Sequence, residues 1–207
     1  MYQWFLVNSS TGAFGKYEQL LSPMVDVNGT QQIDPNLVPS GFTTVGPYDA
    51  NNPMDATTQA AWGNPQAYLY QNGAFVDNPN WPTIQLAQAK SAQVALVQAG
   101  YNAQLSAGFT SSANGTATVY GYATDDVKHM NMIASASALN VETWPIDYAD
   151  IHGNIVSLTQ AQFSALVTDA SKFNWAQLTQ YRSFLGQIEN ATTIANVQSI
   201  VWIEASY

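Results

Sequence analysis

Between Thr159 and Ile188 the chain repeats apolar residues at steps of three and four, and no other stretch limits the fold as tightly. Phe163, Leu166, Val167, Ala170, Phe173, Leu178, Tyr181, Leu185 and Ile188 share one helical stripe, wide enough to require a partner surface. The start is marked by Thr159-Gln-Ala-Gln162. In this capping-box pattern the Thr hydroxyl accepts the Gln162 N–H, and the Gln side chain returns to the Thr159 N–H. Ile155, Val156 and Leu158 lead into it as a short strand. Asn190 is expected as the residue just past the helix end. Ile194, Val197, Ile200 and Val201 then make a second, shorter apolar face.

The chain upstream divides by composition. Residues 1–81 predict a small β-rich region. Tyr2-Gln-Trp-Phe-Leu-Val is an aromatic and β-branched run, stopped by the turn cluster Asn8-Ser-Ser-Thr-Gly12. Phe14 to Leu21 returns as a second strand. Six prolines between Pro23 and Pro65 keep strands there short or at an edge, because proline cannot donate to a ladder. Residues 67–76 predict a hairpin around Asn72-Gly73, which supplies the positive-φ positions of a type I′ turn.

Residues 82–207 predict an α+β domain with two long helices and a short hairpin. Pro82 suits a first helical turn. The following Ala- and Gln-rich stretch carries a weak stripe of Ile84, Ala87, Ala92, Leu96, Ala99 and Leu105, stopped at Gly108. Small alanines bury little area each, so this helix needs close partners, and copies of itself would serve. Ala117 to Tyr122 reads as a strand. Thr124-Asp-Asp126 opens a helix continued by Met130, Ile133, Ala134, Ala138 and Leu139. Trp144 to Tyr148 and Ile155 to Leu158 flank a turn at His152-Gly-Asn154. The fold class is therefore α+β.

Charge narrows the function. Charged residues make up 9% of the 207, against roughly 25% in ordinary soluble domains. Gln, Asn, Ser and Thr supply the polarity instead, which suits a chain packed in an assembly. The net charge is −9, with only five Lys and Arg in all. Scattered cations build no phosphate-binding patch, so neither nucleic acid nor an anionic membrane surface is an expected partner. Cysteine is absent, which removes thiol nucleophiles and cysteine-ligated zinc. No signal peptide or membrane-spanning run is expected.

No catalytic, metal or cofactor-binding residues are expected. Asp125, Asp126 and His129 could share a helix face, but dipole complementation alone accounts for the Asp pair. Glu142, Asp147 and Asp150 surround a hairpin, yet paired-carboxylate chemistry needs a fixed separation that spacing along the chain does not supply. Neither Gly-x-Ser-x-Gly nor a Gly-rich phosphate loop occurs. The aromatics say more: 6 Trp and 11 Tyr exceed what one modest core needs, and such residues enrich interfaces. Trp62, Trp81, Trp175, Tyr181 and Trp202 are the candidate interface residues. Trp175 falls off the main stripe of its helix and projects elsewhere.

Several motifs together resemble a known family. These are Ala89-Lys90, Ala107-Gly-Phe109, Tyr122-Ala-Thr-Asp-Asp126, Asn131-Met-Ile133, Trp144, the run Ile155 to Phe163, and Ile188 with Ala191-Thr-Thr193 and Ile200. The segment from about Ile84 to Trp202 resembles a domain of unknown function, DUF4376, common in tail proteins of tailed bacteriophages. Tyr2-Gln-Trp-Phe with Thr11-Gly-Ala-Phe14 also resembles the start of phage tail-fibre assembly proteins. The resemblance implies a non-enzymatic structural part of a phage tail, in the fibre or baseplate, made in the bacterial host cytoplasm and carried in the virion. Its expected partners are other tail or fibre proteins, copies of itself as a homo-oligomer, and a host surface glycan. Two other roles stand beside it: an assembly chaperone that leaves before the particle is complete, and a receptor- or glycan-binding module in which Trp and Tyr of the N-terminal hairpins, with Trp62 and Trp81 as the residues to test, stack on sugar rings.

Overall fold

The computed structural model describes residues 2–19, 24–27, 30–33, 40, 42–48 and 53–207. These form two compact units, Met1–Gln85 and Leu86–Tyr207.

In the first unit, β1 (Tyr2–Asn8) is the middle strand of an antiparallel sheet, between β2 (Phe14–Gln19) and β5 (Phe42–Tyr48). The β1–β2 turn is wound on Asn8, whose Oδ1 accepts the N–H groups of Ser10 and Thr11. Gly12 closes it at φ +69°, where a side chain would press on the Tyr70 carbonyl. Pro47 is accommodated because β5 is an edge strand. β3 (Met24–Val27) and β4 (Thr30–Ile33) pair as a separate hairpin. Leu20, Leu21, Pro23, Pro35 and Pro39 lie outside the described residues.

The expectation of strands alone misses a helix, α1 (Ala56–Gly63). Its signal was Asp55, whose carboxylate accepts the Thr58 N–H at 2.7 Å and is held below the usual carboxylate range by that bond. A 3-10 turn (Pro65–Ala67) leads to the hairpin of β6 (Tyr68–Gln71) and β7 (Ala74–Asp77). Asn72 and Gly73 take the positive φ values that a type I′ turn requires. Phe5, Val7, Ala61 and Phe75 make the core, with Phe14, Trp62 and Tyr70 packed on it.

The unit boundary falls within α2 (Trp81–Ala107). Gly108, at φ +80°, ends this helix against the Tyr120 carbonyl, where a Cβ would sit only 2.2 Å away. β8 (Phe109–Ser111) and β9 (Thr118–Tyr120) pair next, followed by α3 (Thr124–Ala138). The second hairpin joins β10 (Ile146–Ala149) to β11 (Ile155–Leu158). Its turn is organised by Asp150, which accepts the N–H groups of His152 and Asn154. α4 (Gln160–Asn190) and α5 (Ile194–Gln198) complete the elements.

The capping box forms as read, with Gln162 N to Thr159 Oγ1 at 3.3 Å and Thr159 N to Gln162 Oε1 at 2.9 Å. The helix end differs from expectation. Asn190 is the last helical residue, and the chain leaves through Ala191 in an extended conformation rather than a left-handed one. Both hairpins and α3 close over the first half of α4, around Phe109, Tyr120, Met130, Tyr148, Leu158, Phe163, Leu166 and Phe173. No helix among the described residues is long and apolar enough to cross a membrane.

Candidate functional site

The most elaborately built region of the second unit lies where α2, the second half of α4 and residues 199–207 meet. The two helices run antiparallel: Lys90 Nζ donates to the Glu189 carbonyl, further along α2 the Tyr181 hydroxyl donates to Gln98 Oε1, and beyond the end of α2 the Ser111 hydroxyl donates to Asp169. Residues 199–207 have no regular secondary structure after α5 and lie as a strap along both helices.

Side-chain amides hold the strap by its main chain. Gln93 Nε2 donates to the Ile200 carbonyl. Gln177 Nε2 donates to the Ala205 carbonyl at 2.9 Å, and Gln177 Oε1 accepts the Ala205 N–H at 3.3 Å. Gln104 adds a bond to Glu204, and the Tyr207 hydroxyl accepts the Thr110 N–H. Gln177 is completely buried. A buried amide is costly unless both its ends are satisfied, and the strap satisfies them.

Between these bonds Trp202 is the anchor. Its ring packs edge-on against Tyr101 at 5.8 Å and Phe184 at 5.8 Å, within a cluster of Val97, Phe184, Ile188 and Ile200. Gly100 leaves the space: a Cβ there would lie 2.5 Å from Trp202 Cβ. The indole N–H is buried without an acceptor. Trp202 therefore contributes through ring area alone.

The five candidate interface residues separate. Tyr181 stacks on Tyr101, centroids 4.8 Å apart, and joins Trp202 in this cluster. Trp62 packs edge-on against Phe5 at 5.1 Å in the first unit. Trp81 is half-buried beside a cleft of that unit. Trp175 is 68% exposed. It is the one of the five that leaves most of its ring in solvent.

The expected stripe of α2 is out of phase with the structure. Ala87, Ala92, Leu96 and Ala99 are exposed and Ile84 and Leu105 half-buried, while the fully buried positions are Gln93 and Val97. In the middle of the helix the apolar residues lie off the buried face, because the strap covers a face of Gln, Gly and Val. In α4 the stripe holds to Phe173 and then buries Gln177 and Phe184, with Leu178 and Leu185 only half-buried. The missed signal was a glutamine in step with the three-and-four repeat.

The groups weighed for chemistry are spent separately. Asp125 pairs with Lys128 at 3.1 Å, Asp126 accepts the Ala123 N–H at the start of α3, and His129 stacks on Tyr148. Asp150 is committed to its turn, and its bonds to Asn154 and His152 hold its carboxyl below the usual range. Among the described residues no group of three His, Asp or Glu side chains could hold a metal ion. Burial pushes the Tyr148 hydroxyl up to about 12, aided by the nearby Asp126 charge. That raised value makes the neutral phenol part of the fold. Its contribution is intact below the ordinary tyrosine value near 10 and is lost as pH rises toward 12.

The model of a family described as a domain of unknown function (DUF4376) matches residues 88–201. The chain belongs to the DUF4376 family. The DUF4376 match takes in both hairpins, α3, α4 and α5, and ends within the strap, one residue before Trp202. Gln93 and Gln177 fall inside it, whereas Ala205, which Gln177 holds, falls outside. No curated protein and no solved structure matches the chain.

Proposed function

We propose that this DUF4376 protein is a structural component of a bacteriophage tail, in the fibre, baseplate or fibre attachment, working through protein–protein contacts. One observation carries the reading. Both long helices leave large apolar side chains in solvent, Leu96 at 63% and Trp175 at 68%, on a chain with unusually few charges. A surface with few charges and exposed apolar residues is costly for a free protein and useful for one buried among neighbours. The α2 face with Ala92, Leu96 and Ala99 offers close approach to another backbone, and Trp175 has the size of an interface anchor. The partners are other tail or fibre proteins and further copies of this chain.

Quantitative mass spectrometry of purified phage particles tests the proposal. A signal stoichiometric with the tail, at a small multiple of three or six copies, supports it. Absence from particles, with the protein abundant in infected-cell lysate, overturns it in favour of an assembly chaperone.

A further inference from the structure

We propose that the first unit carries a binding cleft for neutral saccharides, formed by Asn64, Tyr68, Asp77 and Trp81. This assignment goes beyond the protein–protein contacts proposed above and rests on residues that reading does not use. The cleft has a volume of about 520 Å³, within the roughly 300–1,000 Å³ of small-ligand sites. It lies between the end of α1, the 3-10 turn, the base of the β6–β7 hairpin and the first turn of α2, and all of its lining residues belong to the first unit.

Its walls are fixed before any ligand arrives, and Asn78 is the staple. Asn78 Nδ2 donates to the Gln66 carbonyl at 2.8 Å, and Asn78 Oδ1 accepts the Asn80 N–H at 3.0 Å. The Asn78 main chain donates to Ala67 and accepts from Trp81. These bonds tie the 3-10 turn to the start of α2 and set the backbone that carries Trp81. Pro82, directly after it, removes further freedom. The Tyr68–Asp77 pairing sets the opposite wall. Preorganised walls reduce the ordering cost of binding.

The lining chemistry selects the ligand. Trp81 and Tyr68 are half-buried rings lining an open cleft, and each offers an apolar surface for the C–H face of a pyranose. Asp77 and Asn64 are exposed beside them. A carboxylate accepts two hydroxyl hydrogens, and an amide both donates and accepts, which matches the vicinal hydroxyls of a sugar. Among the described residues no Lys, Arg or His lines the cleft. Sialic acids, uronic acids and phosphorylated sugars would meet the Asp77 charge with nothing to neutralise their own, so the ligand is uncharged.

The test is a glycan array of neutral and acidic oligosaccharides probed with the full chain, followed by calorimetric titration of the strongest neutral hit. Retention of neutral pyranosides over their acidic counterparts is expected, with affinity falling at least tenfold in Trp81→Ala and in Asp77→Ala and unchanged in Trp175→Ala. Should Trp81→Ala disturb folding, Asp77→Ala decides alone, since its side chain is exposed and lies on the cleft. An array without neutral hits, a preference for acidic glycans, or a hit that Asp77→Ala leaves intact overturns the proposal.

Discussion

The two long helices of the second unit are built on opposite principles. α4 is held by knobs: Phe163, Leu166, Ala170 and Phe173 are buried at three- and four-residue steps, and Phe184 and Ile188 are buried one turn apart near its end. α2 buries only Gln93 and Val97, and is held by what crosses it: the strap, through Gln93, Gln104 and the space left at Gly100. A side chain that packs as a knob announces itself in the sequence. A surface that receives a peptide segment does not, because reception calls for amides and for absent side chains.

That contrast can be broken in three places. The largest effect is expected from Phe173→Ala on α4, which empties a site bounded by rings of Phe109, Tyr122 and Tyr207 at 5.9, 5.3 and 5.1 Å. A loss of about 3–5 kcal/mol is expected for such a truncation, read from urea unfolding. A loss under about 1 kcal/mol would mean that α4 does not rely on its knobs.

Gly100→Ala on α2 comes next, and here the sign is the test. In an ordinary helix the change stabilises by up to about 1 kcal/mol. Here the new methyl meets Trp202 at Cβ and Cγ, close to the backbone, where it cannot swing aside. Overpacking of this kind costs about 1–3 kcal/mol, so net destabilisation is expected. Hydrogen exchange should accelerate in residues 199–207 while α4 keeps its protection. A rise in melting temperature would sink the idea that α2 is shaped as a receiver.

The smallest effect belongs to Leu96→Ser. The same helix that fails at Gly100 should tolerate this change to within about 0.5 kcal/mol in the isolated chain, because Leu96 lies mostly in solvent. A larger loss in thermal unfolding would place Leu96 in the core after all.

Legibility in the sequence followed the same division. The capping box at Thr159, the Asn72-Gly73 turn, the Gly108 stop and the β10–β11 hairpin were readable, because each depends on a residue whose local chemistry has few alternatives. The face of α2, the burial of Gln177 and the short strand β8 were not. Their conformation is decided by segments up to 107 residues away, and local pattern carries no trace of them. Helix α1 had a legible cap in Asp55, overshadowed by the prolines around it. Of the five candidate interface residues, spacing alone marked Trp175 as off-stripe, and it is the one left mostly in solvent. Tyr181, Trp202 and Trp62 looked the same in sequence and pack inside, since aromatic character does not distinguish a core ring from a surface ring. The first-unit cleft was half legible, through Trp81. Asn64 and Asp77 gave no sign, because a turn and a hairpin bring them together.

The strap also ties off two loops of very different length. Its bond to Gln177 closes a loop of 28 residues, and its bond to Gln93 closes one of 107. The longer closure costs about 1 kcal/mol more chain entropy. The attachment to α4 is therefore the less costly of the two to close, and the attachment to α2 the more costly.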